Sequence, residues 1–218
     1  MIPIPRNPDI IDWITVLLFF SLIFVVVAKN VFYLRFSNFI ILPFNNKYIF
    51  MYNKKERLIN WFNLFFGIFL VINLSLFIYL GIPILFASVT TLAPIVYPLI
   101  IGSIVLYVFF KLIIQMGNGY IFNSQKVISE IIFKKISYLN YSGMIMFIAN
   151  ILLVYIFKES KIVVYTAVLF IVLVNVIGWI TILRNHQKFI TSYFFYFILY
   201  LCALEIAPFI LIGSYLKD

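Results

Sequence analysis

Glu205 is the residue whose setting most needs a chemical reason. It stands in FFYFILYLCALEIAPFILIG, a run with no other charge. A carboxyl group there is costly unless it faces a polar partner or a hydrated cavity. Counted from Ile190 it lies about fifteen residues along the run, roughly 22 Å at 1.5 Å per helical residue. No Lys, Arg or His is expected at that depth, so the neutral acid is the expected form. Pro208, three residues on, has no N–H to bond the Leu204 carbonyl, which leaves a free carbonyl near the carboxyl group. Asn73 and Asn150 are the nearest polar candidates from other apolar runs. One reading makes this set a proton relay or a cation site. The other, which is preferred, makes Glu205 a neutral hydrogen-bond donor that pins helix packing. Asn63 and Asn175 are read in the same way, as amides joining helices.

The remaining reactive side chains are few. Arg184, His186 and Lys188 share one short turn, and Lys111 lies at the end of another apolar run; all four are read as contacts for water, headgroups or a partner. His186 is the only histidine and has no Cys or carboxylate beside it, which makes poor metal-ligand material. Cys202 is the only cysteine, so neither an intrachain disulfide nor a Cys cluster is possible. His-Glu-x-x-His, Gly-x-Ser-x-Gly, a phosphate-cradling glycine loop and paired aspartates are all missing. Ser142-Gly143 lacks a basic partner at its depth. No catalytic constellation, metal or cofactor is expected. Asp12 and Trp13 read as a helix-start acid beside an interfacial aromatic, and Tyr193, Tyr196 and Tyr200 as a packing stripe.

The elements that must position these residues are set by composition. Hydrophobic residues make up 65% of the 218, and 11% are charged. A water-soluble fold cannot hide that much apolar surface, so lipid is the expected solvent. Apolar runs fall at roughly 12–33, 59–80, 94–115, 139–157, 161–183 and 190–216. Together they predict one polytopic, all-α domain over 1–218, a bundle of six transmembrane helices. An open sheet leaves unpaired edges in lipid, and the alternation of a barrel is absent. Met1 to Asp12 carries Arg6 against Asp9 and Asp12, unlike a cleavable signal, so the first run is expected to stay.

Charge orients the bundle. Twelve of the 16 basic residues fall at the links joining runs one to two, three to four and five to six. By the positive-inside rule these links are cytoplasmic and both termini periplasmic. The net charge of +9 flanks apolar runs instead of forming one basic face, so anionic headgroups are the expected partners and nucleic acid is not. Residues 118–137 read as an amphipathic cytoplasmic helix, with Val127, Ile128, Ile131 and Ile132 on one side and a Glu130–Lys134 pair on the other. An extension of a neighbouring span is the alternative. Residues 34–58 mix aromatics with Asn and Lys around Pro43 and read as an interfacial segment. The uncharged stretch 81–93, bounded by Gly81, Pro83 and Pro94, reads as a tight outer cap.

Arg184-Asn185-His186-Gln187-Lys188 followed by Tyr196-Phe197-Ile198-Leu199-Tyr200-Leu201-Cys202-Ala203-Leu204-Glu205-Ile206-Ala207-Pro208 resembles an uncharacterised bacterial family of multi-pass inner-membrane proteins, the domain of unknown function four-two-seven-one. Asp12-Trp13, Lys111 and Ser137-Tyr138-Leu139-Asn140-Tyr141 extend the likeness over almost the whole chain. The resemblance implies a multi-pass protein of the cytoplasmic membrane of Gram-negative bacteria, and passes on no catalytic residue. The expected function is a non-enzymatic subunit or scaffold of an envelope complex. The alternative is a small proton- or ion-coupled transporter using Glu205.

Overall fold

The computed structural model describes residues 9–52, 60–86, 92–121 and 125–185. Seven helices carry them: α1 Asp9–Val31, α2 Tyr33–Ile40, α3 Lys47–Tyr52, α4 Trp61–Leu85, α5 Val96–Ile121, α6 Gln125–Ile151 and α7 Lys161–Asn185. A π turn, Leu152–Ile156, continues α6. Five of these helices are long and apolar enough to cross a membrane. They coincide with the first five predicted runs, and the sixth, 190–216, lies outside the described residues. No strand occurs among the described residues.

α4 and α6 form the centre. They share the most extensive contact, with α1 packed on α4, α7 on α6, and α5 touching both. Because α5 returns the chain between them, α4 and α6 run in the same direction. Close approach depends on small residues: a Cβ on Gly143 of α6 would lie 3.3 Å from the Leu70 Cα of α4. A Cβ on Gly178 of α7 would lie 2.7 Å from the Tyr138 ring of α6.

Each end of the bundle has its own aromatic cluster. At one end Trp13 meets Tyr79 and Tyr97, with centroids 5.3 and 5.2 Å away. There Tyr79 Oη donates to the Leu92 carbonyl at 2.8 Å, and Thr15 and Tyr155 hydroxyls pair at 2.7 Å. The other end holds Phe36, Phe39, Tyr48, Phe62, Phe66 and Phe133 in one buried group. Lys29, Lys47, Lys111, Lys134, Lys135 and Arg184 sit on the elements of this second end, called here the basic end.

Three expectations are corrected. Residues 118–137 are not one separate helix: α5 runs to Ile121, and 125–137 form the first part of α6, continuous with the fourth span. Their apolar face is used for packing, since Ile131, Ile132 and Phe133 are buried and Phe133 stacks on Tyr48. Lys134 is buried as well, although the i,i+4 pattern had suggested a solvated face. The outer cap also begins later than expected. α4 runs through Pro83 to Leu85, because a proline in the last turn removes only one backbone bond.

The stretch 33–52 folds as a helical hairpin. α1 gives way to α2 at Phe32, where φ −126° and ψ 51° bend the chain. Pro43 then stops α2, and the Asn45 side chain accepts from the Lys47 N–H at 3.0 Å to start α3. α4 begins with Asn60 in extended conformation, its side chain accepting from the Phe62 N–H, a favoured N-cap arrangement.

Candidate functional site

Two of the four predicted polar residues are described, and they meet. Asn73 and Asn150 are both fully buried. Asn150 Nδ2 donates to the Asn73 carbonyl at 3.0 Å and lies 3.4 Å from Asn73 Oδ1. Asn73 Nδ2 in turn donates to the Phe69 carbonyl at 2.9 Å. Asn150 Oδ1 accepts no hydrogen bond among the described residues and is buried. The π turn starts two residues beyond it, and π segments inside helices recur at functional sites. Glu205 and Pro208 lie outside the described residues, as do His186 and Lys188.

The other predicted amides also join elements. Asn175 Nδ2 donates to Ser142 Oγ at 2.9 Å and to the Ile171 carbonyl at 2.8 Å, tying α7 to α6. Of the predicted surface cations, Lys111 reaches back over the Tyr107 ring, 5.5 Å from its centroid. Arg184 is exposed in the last turn of α7, where a cation complements the helix dipole.

The basic end holds a polar centre that was read only as part of a basic link. Arg35 is 4% exposed. Its guanidinium lies 4.8 Å from the Phe62 ring centroid, 4.9 Å from Tyr52 and 5.7 Å from Tyr48. Nε donates to Tyr48 Oη at 3.3 Å and Nη2 to Asn63 Oδ1 at 3.4 Å. A planar, weakly hydrated guanidinium suits stacking between several rings better than a compact, strongly hydrated ammonium does. One signal for it was present: Tyr48, Tyr52 and Phe62 surround the link in sequence. Asn140 was overlooked too. It is 1% exposed, and among the described residues neither its Oδ1 nor its Nδ2 has a hydrogen-bond partner. Asn63 Nδ2 is likewise unpartnered.

Among the described residues, no group of three His, Cys, Asp or Glu side chains is placed to hold a metal ion. What the site offers chemically is amide donors and acceptors inside helix contacts, together with one guanidinium clamped by aromatic rings.

Five helices long and apolar enough to cross a membrane, two of them joined by a buried amide pair, fit the class of multi-pass helical membrane proteins. The chain belongs to the family described as "Domain of unknown function (DUF4271)", which it matches over residues 14–216. No curated protein and no solved structure matches it.

Proposed function

We propose that this chain is a non-enzymatic, six-span protein of the bacterial inner membrane that serves as a subunit or scaffold of an envelope complex. The positive-inside rule then puts the basic end in the cytoplasm and both termini in the periplasm. One observation carries the reading. Asn73 and Asn150, the described amides best placed for transport chemistry, are fully buried and spend their donors on helix contacts. Amides used in this way fix geometry. Copurification from native membranes in mild detergent tests the proposal: a stoichiometric partner is expected, and a reproducibly solitary chain overturns it.

The unpartnered Asn150 Oδ1 favours a second reading. Asn73 lies twelve residues beyond Trp61, roughly 18 Å along α4, close to the roughly 22 Å depth deduced for Glu205. A neutral Glu205 on a sixth span would donate to Asn150 Oδ1, with Pro208 freeing a carbonyl beside it, as the core of a proton- or ion-coupled carrier. Glu205→Gln keeps a donor and removes the titrating proton. Loss of proton-coupled flux in proteoliposomes from a folded Glu205→Gln variant supports the carrier. Parental behaviour of both Glu205→Gln and Glu205→Ala removes it.

A further inference from the structure

The α2–α3 hairpin has two apolar faces, and among the described residues only one of them is covered. Its inner face, Arg35, Phe36, Phe39, Leu42, Tyr48 and Ile49, is buried against α4 and α6. Its outer face presents Leu34 at 74% exposure, Phe44 at 90% and Phe50 at 68%, with Ile40 and Ile41 also exposed. We infer that this outer face is embedded in the lipid leaflet at the basic end, so that the hairpin is an in-plane membrane bracket whose partner is the bilayer itself.

Three observations select lipid. First, α2 lies beside the spans, and α3 packs where α4 and α6 begin, Tyr48 against Phe62 and Phe133. Phe36 and Phe39 pack on Phe66, with centroids 6.1 and 4.6 Å away. Phe66 is five residues into α4, roughly 8 Å past its start. Phe39 also touches Tyr141 at 5.8 Å, well inside α6. Second, exposed apolar side chains occur on both sides of the bend at Phe32, Ile23, Val26 and Val31 on α1 and Leu34 on α2. Lys29 and Lys47 flank the outer face, as expected for side chains that reach anionic headgroups from an apolar element.

Third, the turn bonds its own backbone. The Leu42 N–H donates to the Phe39 carbonyl, and the Phe44 and Asn45 N–H groups donate to the Ile41 carbonyl at 3.0 and 2.8 Å. The Lys47 N–H uses Asn45 Oδ1, and Pro43 has no N–H. Internal pairing of this kind is what a poorly hydrated setting demands of a backbone.

The test uses single cysteines in a Cys202→Ser background. Phe44→Cys and Phe50→Cys are spin-labelled, and the protein is placed in nanodiscs of phosphatidylethanolamine and phosphatidylglycerol. Collision with oxygen is compared with collision with a water-soluble nickel chelate. The aqueous reference is Glu159→Cys, in the exposed turn at the opposite end. The expected result is an oxygen-to-nickel ratio several-fold above the reference at both positions. A nickel accessibility equal to that of Glu159 puts the face in water and overturns the inference. Protection from both reagents puts a protein against it, a second copy or another subunit, and overturns it equally. Both side chains are largely exposed, so the substitutions leave the packed core untouched.

Discussion

Gly178→Ala gives the sharpest test of how the bundle is held. The added methyl would meet Tyr138 Cγ and Cδ2 at 2.7 Å, where carbon atoms prefer about 3.5–4.0 Å. Tyr138 has little freedom to yield. It is 1% exposed, and its hydroxyl donates to Asn46 Oδ1 at 3.2 Å and lies 3.5 Å from Thr181 Oγ1. Overpacking of this kind costs about 1–3 kcal/mol, while alanine recovers up to about 1 kcal/mol of helix propensity. The net expectation is a loss of up to about 2 kcal/mol. Two companions calibrate it. Gly143→Ala meets Leu70 at 3.3 Å and is expected near neutrality, and Gly102→Ala meets nothing within 4 Å and should be neutral or stabilising. Equilibrium unfolding in mixed micelles of increasing dodecyl sulfate content reads the three side by side. A Gly178→Ala variant as stable as the Gly102→Ala variant would refute the packing argument.

Further expectations follow from the buried polar groups. Arg35→Lys keeps a cation by the rings and loses the planar stack over Phe62 and Tyr52; a loss smaller than the about 2 kcal/mol of a whole desolvated cation–π contact is expected, read from the same unfolding midpoints, and an unchanged midpoint would rule out a guanidinium-specific cage. Asn150→Leu removes a hydrogen bond worth about 0.6 kcal/mol in a membrane together with an acceptor that finds no donor among the described residues, so it should be nearly silent. Asn150→Asp instead sets a carboxyl group against the Asn73 carbonyl and should be far more damaging, and the reverse order would mean that the donor is not what Asn150 contributes. Asn60→Ala removes the α4 cap, with an expected cost of about 1 kcal/mol in the same titration.

The long apolar runs could be read directly, because lipid forces every backbone polar group in a span to bond within its own helix. Hydropathy then fixes the existence of α1, α4, α5, α6 and α7, and misses mainly where they end. The pairing of Asn73 with Asn150 was also within reach, since few polar groups share that depth. What stayed hidden were contacts between distant segments. Arg35 looks like one more basic loop residue until Tyr48, Tyr52 and Phe62 close around it. Residues 125–137 carry the pattern of a surface helix, yet Ile131 and Ile132 of that face are buried, and the adjacent Phe133 stacks on Tyr48 of the hairpin. Periodicity reveals that a face is apolar, but not which neighbour it meets.

The same-direction pairing of α4 with α6 bears on biogenesis. Segments leave the ribosome in order, so α4 enters the bilayer before its main partner has been synthesised, with Asn73 awaiting Asn150 seventy-seven residues downstream. A nascent chain halted after α5 would expose that unsatisfied seam to lipid. Quality-control proteases and insertion factors should therefore discriminate sharply between chains stopped before and after residue 150, which ribosome-arrested truncations at the two lengths would reveal.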